Sequence, residues 1–306
     1  PGDLVSIISL LRTEMDHYVS ELIGLKLMNP SWPPSKTHFL TIQKQLQMRL
    51  NTGEKNALVY KGLSLVAKCM KLYHAIEMAE TQGVTPLKQY LSRLEEEAQQ
   101  KKGGRSAKDI VNKQEYIDMR KIVDATNVEH PKVSKVMSLV SQTLSESPES
   151  KIMVFAHFRE TGMMISEKLS SIEGARVGRL VGQSGDGLKQ KDQIELLDRL
   201  RSGEVNVIVS TSVGEEGLDV ASTNMVIFYE PIPSEIRTIQ RRGRTGRKND
   251  GDVYVLIADG TMDEIAERTS ESKEEKMRAN IEKLNEELSR GHSIVPDNSQ
   301  RKLDFF

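Results

Sequence analysis

Between Gln240 and Arg247 the chain reads Gln-Arg-Arg-Gly-Arg-Thr-Gly-Arg, four arginines and two glycines in eight residues. A guanidinium keeps its charge at any physiological pH and offers a planar fork of donors. It therefore suits the charge that builds on oxygen during phosphoryl transfer, while glycines let the backbone come close. Such a segment grips phosphate. Taken alone, the pattern also fits an Arg/Gly surface loop holding nucleic acid without regard to sequence, so its surroundings must decide.

A second cluster, Ser210-Thr211-Ser212-Val213-Gly214-Glu215-Glu216-Gly217-Leu218-Asp219, follows directly on a valine-rich run. A strand that gives way to hydroxyls and glycines presents free backbone amides, which hold a nucleic-acid phosphate. Asp219 can accept a hydrogen bond from a ribose or from an arginine. The bland alternative is an ordinary strand-to-helix turn.

These clusters need a scaffold. At 306 residues the chain has room for about two domains. Its formal net charge is -1, so a nucleic-acid surface must be local, and Arg237 to Lys248 does carry six basic residues and no acid. Cys69 is the single cysteine, within an apolar helical stretch, which argues against a disulfide framework or a cysteine-rich metal site; no metal site is expected. No apolar run approaches the roughly 18 residues of a spanning helix, and no charged leader precedes a short apolar segment. The expectation is a chain without a membrane partner, cytoplasmic, or nuclear in a eukaryote. The first residue, Pro1, is not methionine, which suggests sequence upstream.

Residues 1–146 read as one helical domain of four or five helices, with apolar residues at three- and four-residue spacing in Leu58, Leu65, Leu72, Ile76 and Ala79. Breaks fall at Asn29 to Pro34, Gly83, Lys102 to Gly104, and His130-Pro131. Polar Ser145 to Ser150 then switches to Ile152-Met153-Val154-Phe155, the continuous apolar run of a buried parallel strand. Over 147–262 strand-like runs alternate with helical stretches, the signature of an α/β fold with a parallel sheet whose ligands sit at the carboxyl ends of the strands. A charged helix is expected over 263–290 and a loose tail over 291–306.

Taken together, Val154 to Arg159, Val181-Gly182-Gln183, Thr211 to Val220, Phe228 to Pro231 and Gln240 to Arg247 resemble motifs IV to VI of superfamily-2 helicases, and within them the Hef and Fanconi-anaemia M-type fork helicases. Ala79-Glu80-Thr81-Gln82-Gly83 and the following Tyr90-Leu91 helix are similar to the thumb-like helical insertion of that family. The resemblance covers nearly all of residues 1–285. It implies a helical insertion domain followed by the second RecA-like domain. It further implies that Arg244 and Arg247 are arginine fingers, that Arg241 braces the motif, and that Gln240, with Gly217 and Asp219, faces nucleotide. Gly182, Gln183, Thr211, Ser212 and Arg159 are implied to contact a nucleic-acid strand. Ser184 to Gly187 is shorter than the family's usual connection there.

The chain contains no Gly-x-x-x-x-Gly-Lys-Ser/Thr phosphate loop. ATP and Mg2+ are therefore expected to be held mainly by a first RecA-like domain absent from this sequence, and the chain alone is expected not to hydrolyse ATP. The family's nuclease signature is absent as well. The basic Lys101 to Lys108 segment, read as a flexible loop, suits DNA phosphates, and the family implies forked or branched DNA as the partner. At the end of the chain, Gln300, Leu303, Phe305 and Phe306 resemble the peptide that docks on the sliding clamp PCNA, with Leu303 one residue closer to the aromatics than usual. A tail folded back on its own domain is the alternative. The leading expectation is the carboxyl-terminal motor half of an ATP-dependent DNA helicase or translocase in replication-fork repair. A noncatalytic DNA- and clamp-binding adaptor and an RNA-directed superfamily-2 helicase are the alternatives.

Overall fold

The structure, a computed structural model, describes residues 2–100, 104–180, 190–211, 223–231, 251–272 and 275–276. Its first half is a bundle of helices α1 (Gly2–Gly24), α2 (Lys36–Asn51), α3 (Ala57–Glu77), α4 (Val84–Gln99), α5 (Arg105–Val111) and α6 (Gln114–Ala125). Ile7, Leu11, Tyr18 and Leu22 form the buried stripe of α1, and Leu65, Cys69, Leu72 and Ile76 that of α3, at the spacing that lines one helical face. Ser35 caps α2 by accepting from the His38 N–H, and Asn56 caps α3 by accepting from the Val59 N–H at 2.9 Å.

The helices outnumber the four or five expected, because chain breaks at Thr52 to Lys55 and at Asn112-Lys113 contain one glycine between them and no proline. Arg105 to Lys108, expected as loop, lies in α5. Between α3 and α4 the chain makes a π turn, Met78–Gln82, closed by the Gly83 N–H on the Met78 carbonyl five residues back.

Helix α7 (Pro131–Glu146) starts with Pro131 in the first turn, where its missing N–H is no loss, and with His130 as cap. Beyond it lie β1 (Ile152–Phe155), α8 (Arg159–Leu169), β2 (Val177–Leu180), α9 (Gln190–Ser202), β3 (Val207–Ser210), β4 (Met225–Phe228) and β5 (Asp252–Val255), then a helix over 262–272. The sheet order is β2-β3-β1-β4-β5 and every pairing is parallel.

Alternate strand residues face opposite sides of a sheet. Ile152, Val154, Val207, Val209 and Ile227 accordingly pack with Ile165 and Leu169 of α8, whereas Met153, Phe155, Ile208, Val226 and Phe228 pack with Leu196 and Leu200 of α9. Both faces are covered, which explains strands that are apolar throughout. Val133, Val136, Leu139, Val140 and Leu144 of α7 belong to the first of these clusters. The division expected at 146/147 is therefore corrected: by packing it falls between α6 and α7, since the apolar face of α7 completes the sheet's core.

Phe228 is fully buried, with its ring stacked on that of Phe155 at 5.2 Å between centroids. Phe228→Ala is expected to cost about 3–5 kcal/mol of stability, read as a lower urea midpoint at unchanged slope; a loss below about 1 kcal/mol would contradict this packing.

Candidate functional site

Because every strand runs the same way, all five end on one edge. Leu180, Ser210, Phe155, Phe228 and Val255 are in register across the sheet. The next residues hold the edge together: the Thr211 N–H donates to the Leu180 carbonyl, that of Ala156 to Ser210, that of Tyr229 to Phe155 and that of Leu256 to Phe228, all at 2.8–3.1 Å.

Two of the expected strand-contacting residues, Thr211 and Arg159, are described, and both belong to this edge. Thr211 follows β3, and Arg159 opens α8, which follows the neighbouring strand β1. Gly162, one turn into α8, is where the two elements meet: a Cβ there would lie 3.1 Å from the Thr211 methyl. Gly182 and Gln183 come shortly after β2, and Ser212 directly after Thr211, in the chain. These three, with Gly217, Asp219, Gln240, Arg241, Arg244 and Arg247, and with Gln300, Leu303, Phe305 and Phe306 of the tail, lie outside the described residues.

A set of residues to which the sequence assigns no role joins this edge to the helical bundle. Lys132 is buried, and its Nζ donates to the Tyr229 carbonyl at 2.8 Å and to Asp263 Oδ2 at 2.7 Å, lying 4.5 Å from the centre of the Tyr229 ring. Asp263 Oδ2 also accepts from the Ala258 N–H at 3.0 Å. Glu80, in the π turn, accepts from Arg12 at 2.5 Å and from the Met262 N–H at 3.0 Å, and its carbonyl accepts from His130 Nε2 at 3.0 Å. Gln82 Oε1 accepts from the Thr161 hydroxyl at 2.7 Å. At the end of β4, Glu230 Oε2 accepts from the His157 N–H at 3.0 Å, while its buried Oε1 has no hydrogen-bond partner among the described protein groups. An ion pair between Arg93 and Glu160 and the packing of Phe158 and Met262 on the bundle's core complete the junction.

Close approach requires Gly83: its φ is 97°, and a Cβ would stand 2.8 Å from that of His130. The only hints of this junction in the sequence are the acid of Tyr229-Glu230-Pro231 at the end of an apolar run and the polar Glu80-Thr81-Gln82 after an apolar helix. Neither names a partner.

Burial governs the electrostatics. It pushes the Glu230 carboxyl up to about 7, against the opposing pull of Lys132 and of the His157 N–H, and Gln82 lies near enough to favour the charged form without giving Oε1 a bond of ordinary geometry. It likewise draws the Lys132 ammonium down and raises Asp263, each against the attraction of the other. His130 is drawn down to about 4 by burial, and a neutral ring fits its two bonds, with Nε2–H donating to Glu80 and Nδ1 accepting from the Lys132 N–H. Among the described residues no group of three or more His, Cys, Asp or Glu side chains could hold a metal ion, and no helix is long and apolar enough to cross a membrane.

Comparisons with known proteins agree with this division of the chain. The family described as "Helicase conserved C-terminal domain" matches residues 132–249, and the family described as "Putative ATP-dependent RNA helicase, helical bundle" matches residues 4–132, meeting at the start of α7. The crystal structure of the Hef helicase domain of Pyrococcus furiosus aligns with a TM-score of 0.70 at 36% identity, covering 88% of this chain and 56% of that one. A protein of Methanocaldococcus jannaschii named "Putative ATP-dependent RNA helicase MJ1505" is 40% identical over 91% of this chain and 35% of its own. The "ATP-dependent DNA helicase mph1" of Aspergillus oryzae is 28% identical over 86% of this chain and 25% of its own. The "Putative ATP-dependent DNA helicase fml2" of Schizosaccharomyces pombe is 30% identical over 77% of this chain and 31% of its own. The chain thus spans between 25% and 35% of the length of these curated relatives.

A helical bundle running into a parallel-sheet helicase carboxyl-terminal domain defines a superfamily-2 helicase. Within that class the chain belongs to the Hef and Fanconi-anaemia M-type helicases.

The raised Glu230 pKa sets the sign of a pH effect. An unfolded glutamate loses its proton near 4.5 and the native one near 7, so between those values the native state binds more protons and stability falls as pH rises. Glu230→Gln lacks that fall, and the opposite contribution of His130 is common to both proteins. The stability of Glu230→Gln relative to the parent should therefore rise by about 1–3 kcal/mol from pH 5 to pH 8 in urea titrations. A pH-independent difference would show that Glu230 titrates normally.

Proposed function

We propose that this chain is the carboxyl-terminal motor half of an ATP-dependent DNA helicase or translocase that acts on forked or branched DNA in replication-fork repair. The single edge formed by the ends of β2, β3 and β1 carries the reading. Thr211 directly follows β3, Arg159 opens the helix after the neighbouring strand β1, and Gly182, Gln183 and Ser212 follow the ends of β2 and β3 in the chain. Backbone amides and hydroxyls at such an edge bind phosphates without reading bases, which suits a strand that must slide past.

In this reading Arg244 and Arg247 face the phosphoryl group in transfer, and Gln240, Arg241, Gly217 and Asp219 support the nucleotide from the same side. ATP and Mg2+ are bound mainly by a first RecA-like domain, which this sequence lacks; nucleotide and metal supply the reacting phosphoryl group and its charge neutralisation. The helical bundle contributes contacts to branched DNA. A cleft of about 970 Å³ between α4, α5 and α6, lined by Arg105, Lys108, Arg120 and Lys121 beside Glu95 and Asp124, supports that role. Gln300, Leu303, Phe305 and Phe306 would dock on PCNA.

An RNA-directed helicase is the second reading, favoured by the printed names of the helical-bundle family and of the Methanocaldococcus jannaschii relative. Backbone contacts of this kind do not by themselves separate the two nucleic acids.

In the full-length protein, Arg244→Ala and Arg247→Ala should each lower fork-stimulated ATP turnover by about 10³-fold; unchanged turnover in both would rule out the finger assignment. Competition between forked DNA and duplex RNA for the protein should favour the fork, and preference for the RNA would reverse the choice of substrate.

A further inference from the structure

The buried junction does more than join two domains. Apolar contacts are non-directional and tolerate slippage, whereas hydrogen bonds with buried partners fix one orientation. Five chain segments converge here: the π turn, residues 130–132, residues 157–161, residues 229–230 and residues 258–263. Burying a lysine and three carboxylates gives little net stability compared with well-packed apolar residues, so registry is the better-attested use of such a cluster. The π turn points the same way, since an i→i+5 turn within helices is uncommon and is found mostly at functional sites.

One path through the junction reaches the nucleic-acid edge. Gln82, 1% exposed, accepts the hydroxyl of Thr161, which is fully buried in the first turn of α8. Arg159 lies two residues before Thr161, and Gly162, the next residue, backs the Thr211 methyl at the end of β3. A displacement of the bundle therefore moves the first turn of α8, and with it both described residues of the proposed strand contact.

We propose that Gln82 and Thr161 are positioning residues that couple nucleic-acid binding on the helical bundle to the strand-end edge of the motor. The coupling rests on the motor reading given above. Neither residue touches nucleotide or nucleic acid in this scheme; Thr161 sets the placement of Arg159 and Thr211, and Gln82 transmits the position of the bundle to it.

The test is a double substitution in the full-length protein, Gln82→Leu with Thr161→Val, assayed for ATP turnover with and without forked DNA. Removing one partner leaves a buried polar group unpaired, but replacing both by apolar groups of similar shape removes that penalty at the pair, and the Thr81 hydroxyl, which accepts from Gln82 Nε2, keeps its bond to the Glu77 carbonyl. Each single variant should melt lower than the parent, and the double variant should recover toward it. In the double variant unstimulated turnover and fork affinity should stay within about twofold, while fork stimulation of turnover falls at least about fivefold.

Thr161→Ser, which keeps the hydroxyl, should retain stimulation. A double variant stimulated as strongly as the parent overturns the coupling role, as does stimulation that recovers in step with stability. If the double variant does not fold, Thr161→Val against Thr161→Ser makes the same comparison, and equal stimulation of the two overturns the proposal. Parent protein whose turnover no nucleic acid stimulates removes the motor reading and the coupling with it, whereas a stimulated parent with an equally stimulated double variant removes the coupling alone.

Discussion

Parallel pairing is the constraint from which the rest of this structure follows. A parallel sheet admits no hairpins, so each strand must be reached by a crossover, and the crossovers bury both faces. The continuous apolar runs of β1, β3 and β4 meet that demand, and α7, α8 and α9 supply the cover. Polar chemistry is then confined to the edges. The carboxyl-terminal edge is the one followed by Thr211, Tyr229-Glu230 and the turn into Arg159, so the placement of chemistry on this protein is a result of topology before it is a result of any single residue.

The junction with the helical bundle answers a different physical problem. The bundle has its own core, built from α1 to α6, on which Phe158 and Met262 of the sheet domain pack. Polar groups fill the remaining contact, and Lys132, Glu80, Gln82 and Asp263 are all at least 95% buried. Desolvation opposes each charge, as the raised Glu230 and Asp263 and the lowered Lys132 show. What the arrangement provides is a defined angle between two bodies, because the Met262 N–H meets Glu80, the Thr161 hydroxyl meets Gln82 and Arg93 meets Glu160 across the junction.

Much of the fold was legible in the sequence. The switch at Ile152 to Phe155 marked the first strand, and the alternation after it marked a parallel α/β sheet, because period and length of apolar runs record burial directly. The breaks at Thr52 to Lys55 and Asn112-Lys113 were not legible, since neither carries proline and a capping asparagine looks like any other. That α7 packs on the sheet is not legible for a related reason: an amphipathic stripe shows that a helix has a buried face without showing what buries it. The positions of Arg159 and Thr211 beside the ends of β1 and β3 are legible because their motifs are anchored to apolar strand runs. The roles of Lys132, Gln82 and Glu230 are not legible because their bonded partners Asp263, Thr161 and His157 lie between 73 and 131 residues away in the chain, and sequence spacing records only local geometry.

The π turn carries a consequence for how this protein tolerates change in length. A π turn spends five residues where an α turn spends four, so deleting one residue from Met78–Gln82 would close the turn to the regular spacing and change the angles between the side chains within it. Glu80 and Gln82 would then no longer face Met262 and Thr161 together. Insertions and deletions are absorbed readily in surface connections, but here chain length itself is part of the information that sets the bundle against the sheet domain.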